Sequence, residues 1–190
     1  DVGSTKRAAV DAARTLPARL RFVGGHPLAG AARSGIEHGA PEMFERRPWL
    51  LTPAAGTSRD ALERVTAWVA AIGARPQVMD PDEHDRLMAA LSHLPQIVVT
   101  TLMKVVGERA GEAGLALAGR GLRDTTRLAS SPGRVWADVC ATNAEYIGEA
   151  LDDLIGELAA LRASLRDAGA VDALFAEGQR GRDRLDPDRA

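Results

Sequence analysis

The 190-residue sequence is poor in cysteine, lysine and aromatic side chains, and these shortages limit what the protein can be. Cys140 is the only cysteine, so no disulfide can form within the chain. Only Lys6 and Lys104 are lysines, and the 24 basic residues are balanced by 26 acidic ones. The resulting net charge of −2 gives no general reason to expect a nucleic-acid partner or an anionic membrane surface.

Long hydrophobic runs and a nucleotide-binding fingerprint are also missing. Proline, glycine or charged residues interrupt each apolar stretch before it reaches the length of a membrane span. The chain opens with Asp1 and not with a basic, apolar leader, so we expect a cytoplasmic protein with no membrane partner. No G-x-G-x-x-G motif, which cradles the diphosphate of a dinucleotide, occurs anywhere.

Residues 1–80 alternate between helix and strand signals. Ser4 is expected to cap a helix, and residues 20–23 to form a short strand. Residues 49–52 and 77–79 are expected to be strands on either side of a helix with regularly spaced apolar residues: Leu62, Val65, Trp68, Val69 and Ile72. This order predicts a parallel α/β sheet. Three strands are too few for a closed domain, so we interpret the chain as a fragment.

From residue 80 onward the pattern is entirely helical. Asp80, Pro81 and Glu83 form a strong helix start, and a kink is expected at Pro95. The longest helix is expected from Ser131 to Gly169, with an apolar repeat of alternating spacing 4 and 3: Ile147, Leu151, Leu154, Leu158, Leu161 and Leu165. This repeat could be buried within its own domain, but its length favours a partner chain. Residues 178–190 hold almost no apolar mass and are expected to be disordered.

Three histidines are candidates for chemistry. His26 follows a predicted strand and two glycines, a position where ligands bind in open α/β folds, and a neutral imidazole can accept a proton. A role in structuring its loop is the alternative. His84 and His93 are nine residues apart, which places them on opposite faces of an ideal helix and argues against a metal site.

Arg127 is the fourth candidate, and Trp136 follows it in the sequence. A guanidinium binds a carboxylate through two parallel hydrogen bonds, but without the other motifs a solvated arginine would be the preferred interpretation in this arginine-rich chain. Trp136 is expected to belong to the core.

Several motifs occur in an order that resembles the prephenate/arogenate dehydrogenase family. They are Asp-Val-Gly-Ser-Thr-Lys at 1–6, Gly-Gly-His-Pro-Leu-Ala-Gly at 24–30, Arg-Pro-Trp-Leu-Leu-Thr-Pro at 47–53, His-Asp at 84–85, Ser-His-Leu-Pro at 92–95 and Arg-Asp-Thr-Thr-Arg at 123–127. The resemblance extends from Asp1 to about Leu165. It implies a Rossmann-type domain followed by a helical dimerisation domain, here residues 1–80 and 81–177, with the N-terminal nucleotide-binding part missing from the fragment.

The resemblance also implies an activity. It is the oxidative decarboxylation of prephenate to 4-hydroxyphenylpyruvate, with hydride transfer to NAD or NADP, in tyrosine biosynthesis. His26 would accept the hydrogen bond and then the proton of the ring hydroxyl, and Ser4 would contact that hydroxyl and the nicotinamide. Arg127 would bind the ring carboxylate, with further substrate contacts from His84, Ser92, His93, Gln96 and Trp136. A homodimer is implied, and tyrosine is a possible feedback inhibitor.

Two departures from the family pattern affect these expectations. Many members have Thr-Glu where this chain has Ala31 and Ala32, so an acidic gating contact is in doubt. Gln96 replaces a histidine that is common in the family, and an amide can hydrogen-bond but carries no charge. The handling of the substrate side chain, and inhibition by tyrosine, are therefore open.

Three alternatives remain. The substrate could be arogenate, which would give tyrosine directly. A hydroxyacid dehydrogenase would share the two-domain plan, although the Gly-Gly-His-Pro motif and Arg127 count against it. A non-catalytic dimeric module that senses tyrosine would also lack the nucleotide fingerprint. The isolated 190-residue chain is itself expected to be inactive.

Overall fold

The structure is a computed structural model that describes residues 1–30, 35 and 38–185. It divides into two compact units, Asp1–Ile147 and Gly148–Ala190. The secondary structure begins with helix α1 (Arg7–Ala13), strand β1 (Gly24–Pro27), strand β2 (Pro48–Thr52), helix α2 (Arg59–Ala71) and strand β3 (Arg75–Val78). It continues with helices α3 (Pro81–Met88), α4 (Leu94–Ala116), α5 (Arg120–Thr125), α6 (Gly133–Thr142), α7 (Ala144–Ser164) and α8 (Ala168–Leu185).

The three strands form one sheet in the order β1-β2-β3. β2 and β3 are parallel and are joined through α2, as the sequence pattern predicted, whereas β1 pairs with β2 in the antiparallel direction. The first strand begins at Gly24 and does not include residues 20–23, where we expected it. The glycines explain the difference, because a Cβ on Gly24 would lie 2.3 Å from the Thr52 hydroxyl oxygen. Only glycine allows so close an approach of the two strands.

The core of this sheet lies between β2 and α2. Leu51 and Val69 are completely buried, and Trp49 and Ala61 pack in the same cluster. Both faces of β2 are covered, since Leu50 is buried as well as Leu51. The central strand therefore fixes the position of β1, in which His26 lies opposite Leu50.

Helix α3 begins where the sequence predicted. The Asp80 carboxylate accepts hydrogen bonds from the backbone N–H groups of Asp82 and Glu83, with Pro81 in the first turn. At its other end α3 passes through a π-helical turn, Ala89–His93, into α4. Pro95 has no N–H to donate to the preceding turn, which loosens the helix at this point.

The π-helical turn overturns the expectation for His84 and His93. An ideal helix rotates about 900° over nine residues, but a π-helical turn absorbs one extra residue and reduces the rotation to about 800°. The two rings are therefore about 80° apart around the helix axis and do not lie on opposite faces. Both are buried, and each interacts electrostatically with Asp85.

The expectation of a single long helix from Ser131 to Gly169 is wrong, because α6 and α7 are separate helices in this region. Asn143 has φ −130° and ψ 30°, which separates α6 from α7. The break frees the Asn143 side chain to bridge other elements of the first unit, as described below. A second correction concerns residues 178–185, which belong to α8 and are not disordered. Arg182 and Arg184 in the last turn complement the helix dipole, and residues 186–190 lie outside the described part of the chain.

Helices α4 and α7 carry apolar side chains that the chain leaves exposed. Along α7 and just beyond it, Leu158 and Leu165 of the expected repeat are 54% and 62% exposed. The helical stretch Pro81–Ala116 contains an 18-residue window with mean hydropathy 1.3, of which 17% is buried. By length and composition alone, this stretch could cross a membrane. An apolar helix that packs against a second chain has the same composition, which makes this weak grounds for a membrane span.

Candidate active site

His26 lies near the end of β1 and is half-buried. Its Nδ1 atom is 2.9 Å from Nε2 of His84, which is fully buried behind it. His84 Nδ1 is in turn 2.8 Å from Oδ1 of Asp85. The three side chains thus form a hydrogen-bonded chain that leads from the protein interior to the imidazole of His26. His84 thus has both ring nitrogens engaged by protein partners, His26 and Asp85.

The Asp85 carboxylate is fully buried and accepts two more hydrogen bonds. The backbone N–H of Lys6 donates to Oδ1 at 2.7 Å, and that of Arg7 donates to Oδ2 at 2.9 Å. Burial raises the pKa of this carboxyl, but the hydrogen bonds from His84, Arg7 and Lys6 outweigh it and bring the pKa below its ordinary value. Asp85 is therefore ionised at neutral pH.

The segment 1–6 runs alongside β1 and is held there by Lys6. The Lys6 ammonium is completely buried, donates to the carbonyl oxygen of Gly25 at 2.6 Å and contacts the Asp1 carboxylate. Burial lowers the pKa of Lys6 to about 8, although the charge of Asp85 opposes this shift. A Cβ on Gly25 would lie 2.7 Å from the Asp1 carbonyl oxygen, so the segment and the strand are in direct contact.

Ser4 does not cap α1, contrary to our expectation. The helix begins at Arg7, and Lys6 in the cap position makes no capping bond with its own side chain. Asp85 takes that role from a distant part of the sequence. Within the described residues, the Ser4 hydroxyl has no hydrogen bond and is half-buried in the segment that lies along β1. It is therefore available to a ligand.

His93 presents a buried donor. The Asn143 amide nitrogen donates to the carbonyl oxygen of Asp85 at 2.8 Å and lies 3.1 Å from Nδ1 of His93. Since this nitrogen is the donor, His93 Nδ1 accepts, and Nε2 carries the hydrogen of the neutral ring. Nε2 is buried and has no hydrogen-bond partner among the described residues. Burial lowers the pKa of His93, which keeps the ring neutral.

A pocket of about 460 Å³ opens in the first unit, and its wall includes Trp136, which contacts the ring of His93. It brings together four of the residues that the sequence singled out, and the remaining lining is mostly small or apolar: Ser92, Gln96, Arg127 and Trp136, with Gly30, Leu91, Pro95, Leu128, Ser130, Ser131, Pro132 and Val135. The Trp136 ring lies edge-on to that of His93, with 6.0 Å between centroids. Trp136 is half-buried in the pocket wall and so is not purely a core residue.

Gln96 lines the pocket and is also hydrogen-bonded to the segment around Arg127. Its amide nitrogen donates to the carbonyl oxygen of Leu128 at 2.7 Å, and its amide oxygen accepts from the Ser131 hydroxyl at 3.2 Å. Both ends of the amide are therefore used inside the protein. Gln96 positions the 3₁₀ turn Arg127–Ser130, which carries the Arg127 side chain into the pocket.

A larger pocket of about 800 Å³ lies next to the first and shares Gly30 with it. Its lining includes Arg46, Arg47, Arg75 and two glutamates. None of the residues singled out for chemistry lines it. Because Ser92, Arg127 and Trp136 line the smaller pocket, and the Trp136 ring contacts that of His93, we assign the candidate site to the smaller pocket.

The buried histidines predict how stability depends on pH. Burial, followed by the charges of His84, Lys6 and His93, lowers the pKa of His26 to about 3, with Asp85 opposing the shift. The unfolded chain binds a proton at His26 below about pH 6.5 and the folded chain does not, so the fold loses stability as the pH falls from there towards 3. We expect a loss of about 1.4 kcal/mol per pH unit from this group alone.

Urea denaturation at several pH values between 7 and 5 measures this slope. The His26→Asn variant should show a shallower slope than the wild type. The matched variant His38→Asn, at an exposed position, serves as the comparison. An unchanged slope in His26→Asn would show that His26 is not buried in its neutral form.

Comparisons with known proteins match both halves of the chain. The family model described as prephenate dehydrogenase, nucleotide-binding domain, matches residues 1–78, and the one described as prephenate dehydrogenase, dimerization domain, matches residues 80–177. The chain belongs to the prephenate dehydrogenase family. The match at 1–78 does not confirm our expectation that part of the nucleotide-binding domain is missing.

Three relatives illustrate the likeness. Prephenate dehydrogenase of Bacillus subtilis is 36% identical over 165 residues, which is 85% of this chain and 44% of that protein. The structure of prephenate dehydrogenase from Aquifex aeolicus with hydroxyphenyl propionate and NAD⁺ superposes with a TM-score of 0.88 at 29% identity, over 98% of this chain and 66% of that one. The structure of Synechocystis arogenate dehydrogenase superposes with a TM-score of 0.82 at 28% identity, over 97% of this chain and 68% of that one. The chain spans about half the length of the curated relatives it matches.

Sequence reasoning missed the importance of Lys6 and Asn143. Lys6 was noted as one of two lysines and as the last residue of a motif, and Asn143 was placed in the interior of a helix. A signal for Lys6 was present, because lysine is rare in this chain where arginine is the rule. A compact ammonium fits a small buried site that a guanidinium would overfill. For Asn143 the sequence carries no signal that we can identify.

Proposed function

We propose that this chain forms the substrate site of a dehydrogenase of tyrosine biosynthesis, which oxidises and decarboxylates prephenate. The observation that carries the proposal is the arrangement of His26, Ser4 and Arg127. An imidazole held by His84 and a free hydroxyl lie on neighbouring segments, and a guanidinium lines the 460 Å³ pocket of the same unit. These are the groups that a ring hydroxyl and a carboxylate require.

In the proposed reaction, His26 accepts the hydrogen bond and then the proton of the ring hydroxyl. The ring carbon that bears this hydroxyl loses its hydrogen as a hydride, the ring carboxylate leaves as CO₂, and the remaining electrons make the ring aromatic. The phenol oxygen recovers the proton. The carboxylates of the bound substrate favour the protonated imidazole, which offsets the low pKa of His26 in the free protein.

Arg127 is proposed to bind the ring carboxylate. Its guanidinium makes no ion pair within the described residues and lines the 460 Å³ pocket, where a bidentate contact is possible. Ser92 and Trp136 would shape the pocket around the ring, and the buried N–H of His93 is a further donor to a substrate oxygen. Gln96 would hold the turn that carries Arg127 through its hydrogen bond to the Leu128 carbonyl oxygen.

NAD or NADP is proposed as the cofactor, and it supplies the acceptor for the hydride. The residues of this chain fit the reacting end of a dinucleotide, since the unpartnered Ser4 hydroxyl lies in the segment along β1. They do not supply the glycine-rich turn for its diphosphate, because no G-x-G-x-x-G motif is present.

A homodimer in the cytoplasm is proposed as the working form. The second family model is that of a dimerization domain, and α4 and α7 leave apolar side chains exposed. Tyrosine is proposed as an inhibitor that occupies the same pocket, because its phenol and carboxylate resemble those of the product. Arogenate is the alternative substrate, and the likeness to Synechocystis arogenate dehydrogenase supports it.

The test is an assay of NAD(P)H formation by the protein at its full natural length, with prephenate and arogenate supplied separately. Turnover of either compound, with release of one CO₂ for each NAD(P)H, supports the proposal and identifies the substrate. A folded dimer that binds tyrosine but turns over neither compound would support the sensing module instead.

A further inference from the structure

The carboxylate of Asp85 determines which atoms carry hydrogen in the series of hydrogen bonds from Asp85 through His84 to His26. Two of its three hydrogen bonds come from backbone N–H groups, those of Lys6 and Arg7, which can only donate. Oδ1 and Oδ2 must therefore both act as acceptors. Since Asp85 is ionised and buried, His84 Nδ1, 2.8 Å from Oδ1, has to be the donor in that contact.

The position of the hydrogen on His84 in turn determines that on His26. A neutral imidazole with hydrogen on Nδ1 has a bare Nε2, which can only accept. His26 Nδ1 is 2.9 Å from that atom and must supply the hydrogen between them. The remaining nitrogen of His26, Nε2, is then bare, and it belongs to the half-exposed ring at the edge of the site.

From this polarity we propose that His84 and Asp85 are positioning residues, which hold His26 in the tautomer whose Nε2 accepts a proton from the substrate hydroxyl. The inference rests on the proposed function for the identity of that hydroxyl. Neither residue touches the substrate. Their contribution is to remove the second tautomer, in which Nε2 would carry hydrogen and could not act as a base.

The packing around the chain supports this role. His84 and Asp85 are each completely buried, so water does not compete for their hydrogen bonds. Asn143 donates to the Asp85 backbone carbonyl at 2.8 Å and fixes the same turn from α6 and α7. On the other side, Lys6 donates to the Gly25 carbonyl, next to His26 in β1. Both ends of the chain of hydrogen bonds are therefore anchored to rigid elements.

The direct experiment is ¹⁵N NMR of the histidine side chains in the full-length wild-type protein at neutral pH. In a neutral imidazole the bare nitrogen resonates far downfield of the protonated one, so the spectrum identifies the tautomer. We expect hydrogen on Nδ1 of His26 and His84, and on Nε2 of His93. Assignment uses the His26→Asn protein, which lacks one set of signals. Hydrogen on Nε2 of His26, or a mixture of tautomers, would overturn the inference.

A pair of variants at His84 tests the functional consequence. His84→Leu removes the acceptor, so His26 should exchange between tautomers, and kcat should fall on the order of 10-fold with KM unchanged. His84→Gln should restore most of the loss, because its amide oxygen can accept from His26 while its NH₂ donates to Asp85. His38→Leu, the same substitution at an exposed histidine, should leave kcat unchanged.

A purely structural role would give another pattern. If His84→Leu and His84→Gln lose activity equally and in step with their melting temperatures, the positioning role is overturned. The NMR result stands apart from the assay. A protein that turns over neither substrate yet shows the expected tautomer contradicts the proposed function alone, whereas turnover by a protein with bare Nδ1 on His26 contradicts this inference alone.

Discussion

His26→Asn should lower kcat by about 1,000-fold and leave KM nearly unchanged, because a positioned general base contributes roughly 10²- to 10⁴-fold. The asparagine amide can still donate to His84 Nε2, so His84 keeps a hydrogen-bond partner at this position. What the variant loses is the bare ring nitrogen that faces the substrate. Steady-state kinetics of NAD(P)H formation, with the full-length protein and the preferred substrate, measure the effect.

The control for this prediction is His38→Asn, which removes an exposed histidine of the same chain. It should retain wild-type kcat and KM. Circular dichroism and melting temperatures of both variants establish that they fold. A loss in kcat of less than about 10-fold in a folded His26→Asn protein would show that His26 is not the base.

Arg127→Ala should raise KM by about 10- to 150-fold, which corresponds to the 1.5–3 kcal/mol of hydrogen bonds to a charged group. Arg127 lines the pocket on a turn that Gln96 holds through the Leu128 carbonyl, and its guanidinium has no ion-pair partner in the described part of the chain. The carboxylate of the substrate is therefore its only proposed partner. Initial rates over a range of substrate concentrations separate the effect on KM from that on kcat.

Arg123→Ala provides the matched comparison, since Arg123 is exposed on α5, four residues before Arg127, and does not line the pocket. It should bind substrate as the wild type does. Equal losses of affinity in the two variants would mean that the arginines act through general positive charge. In that case the assignment of the carboxylate to Arg127 would be wrong.

Those parts of the fold that depend on local sequence were predictable. The Asp80 cap with Pro81, the strand at β2 and the parallel unit β2-α2-β3 follow from capping, alternation and turn residues within a few positions of each other. The pocket residues Ser92 and Arg127 were found through motifs that resemble the family. The resemblance to the family predicted that these residues lie at one site, which their spacing in the sequence alone does not indicate.

The errors came from contacts between distant parts of the sequence. Asp85 caps α1 from 78 residues away, so the expected cap by Ser4 was unnecessary. Asn143 interrupts a helix because its amide bridges Asp85 and His93, which no local pattern records. The π-helical turn before Pro95 changes the rotation along the helix, so that His93 no longer lies on the face opposite His84. Each of these features overrides local sequence preference.

The most direct test of the site is a crystal structure of the full-length protein with NAD⁺ and hydroxyphenyl propionate. The phenol oxygen should lie within about 2.6–3.2 Å of His26 Nε2, the range of a hydrogen bond to a general base. His84 should remain bonded to His26 on the opposite side of the ring, and the phenol ring should lie in the pocket that Arg127 and Trp136 line. A ligand whose phenol contacts neither His26 nor Ser4, or one that binds in the 800 Å³ pocket beside Arg46, would contradict the assignment.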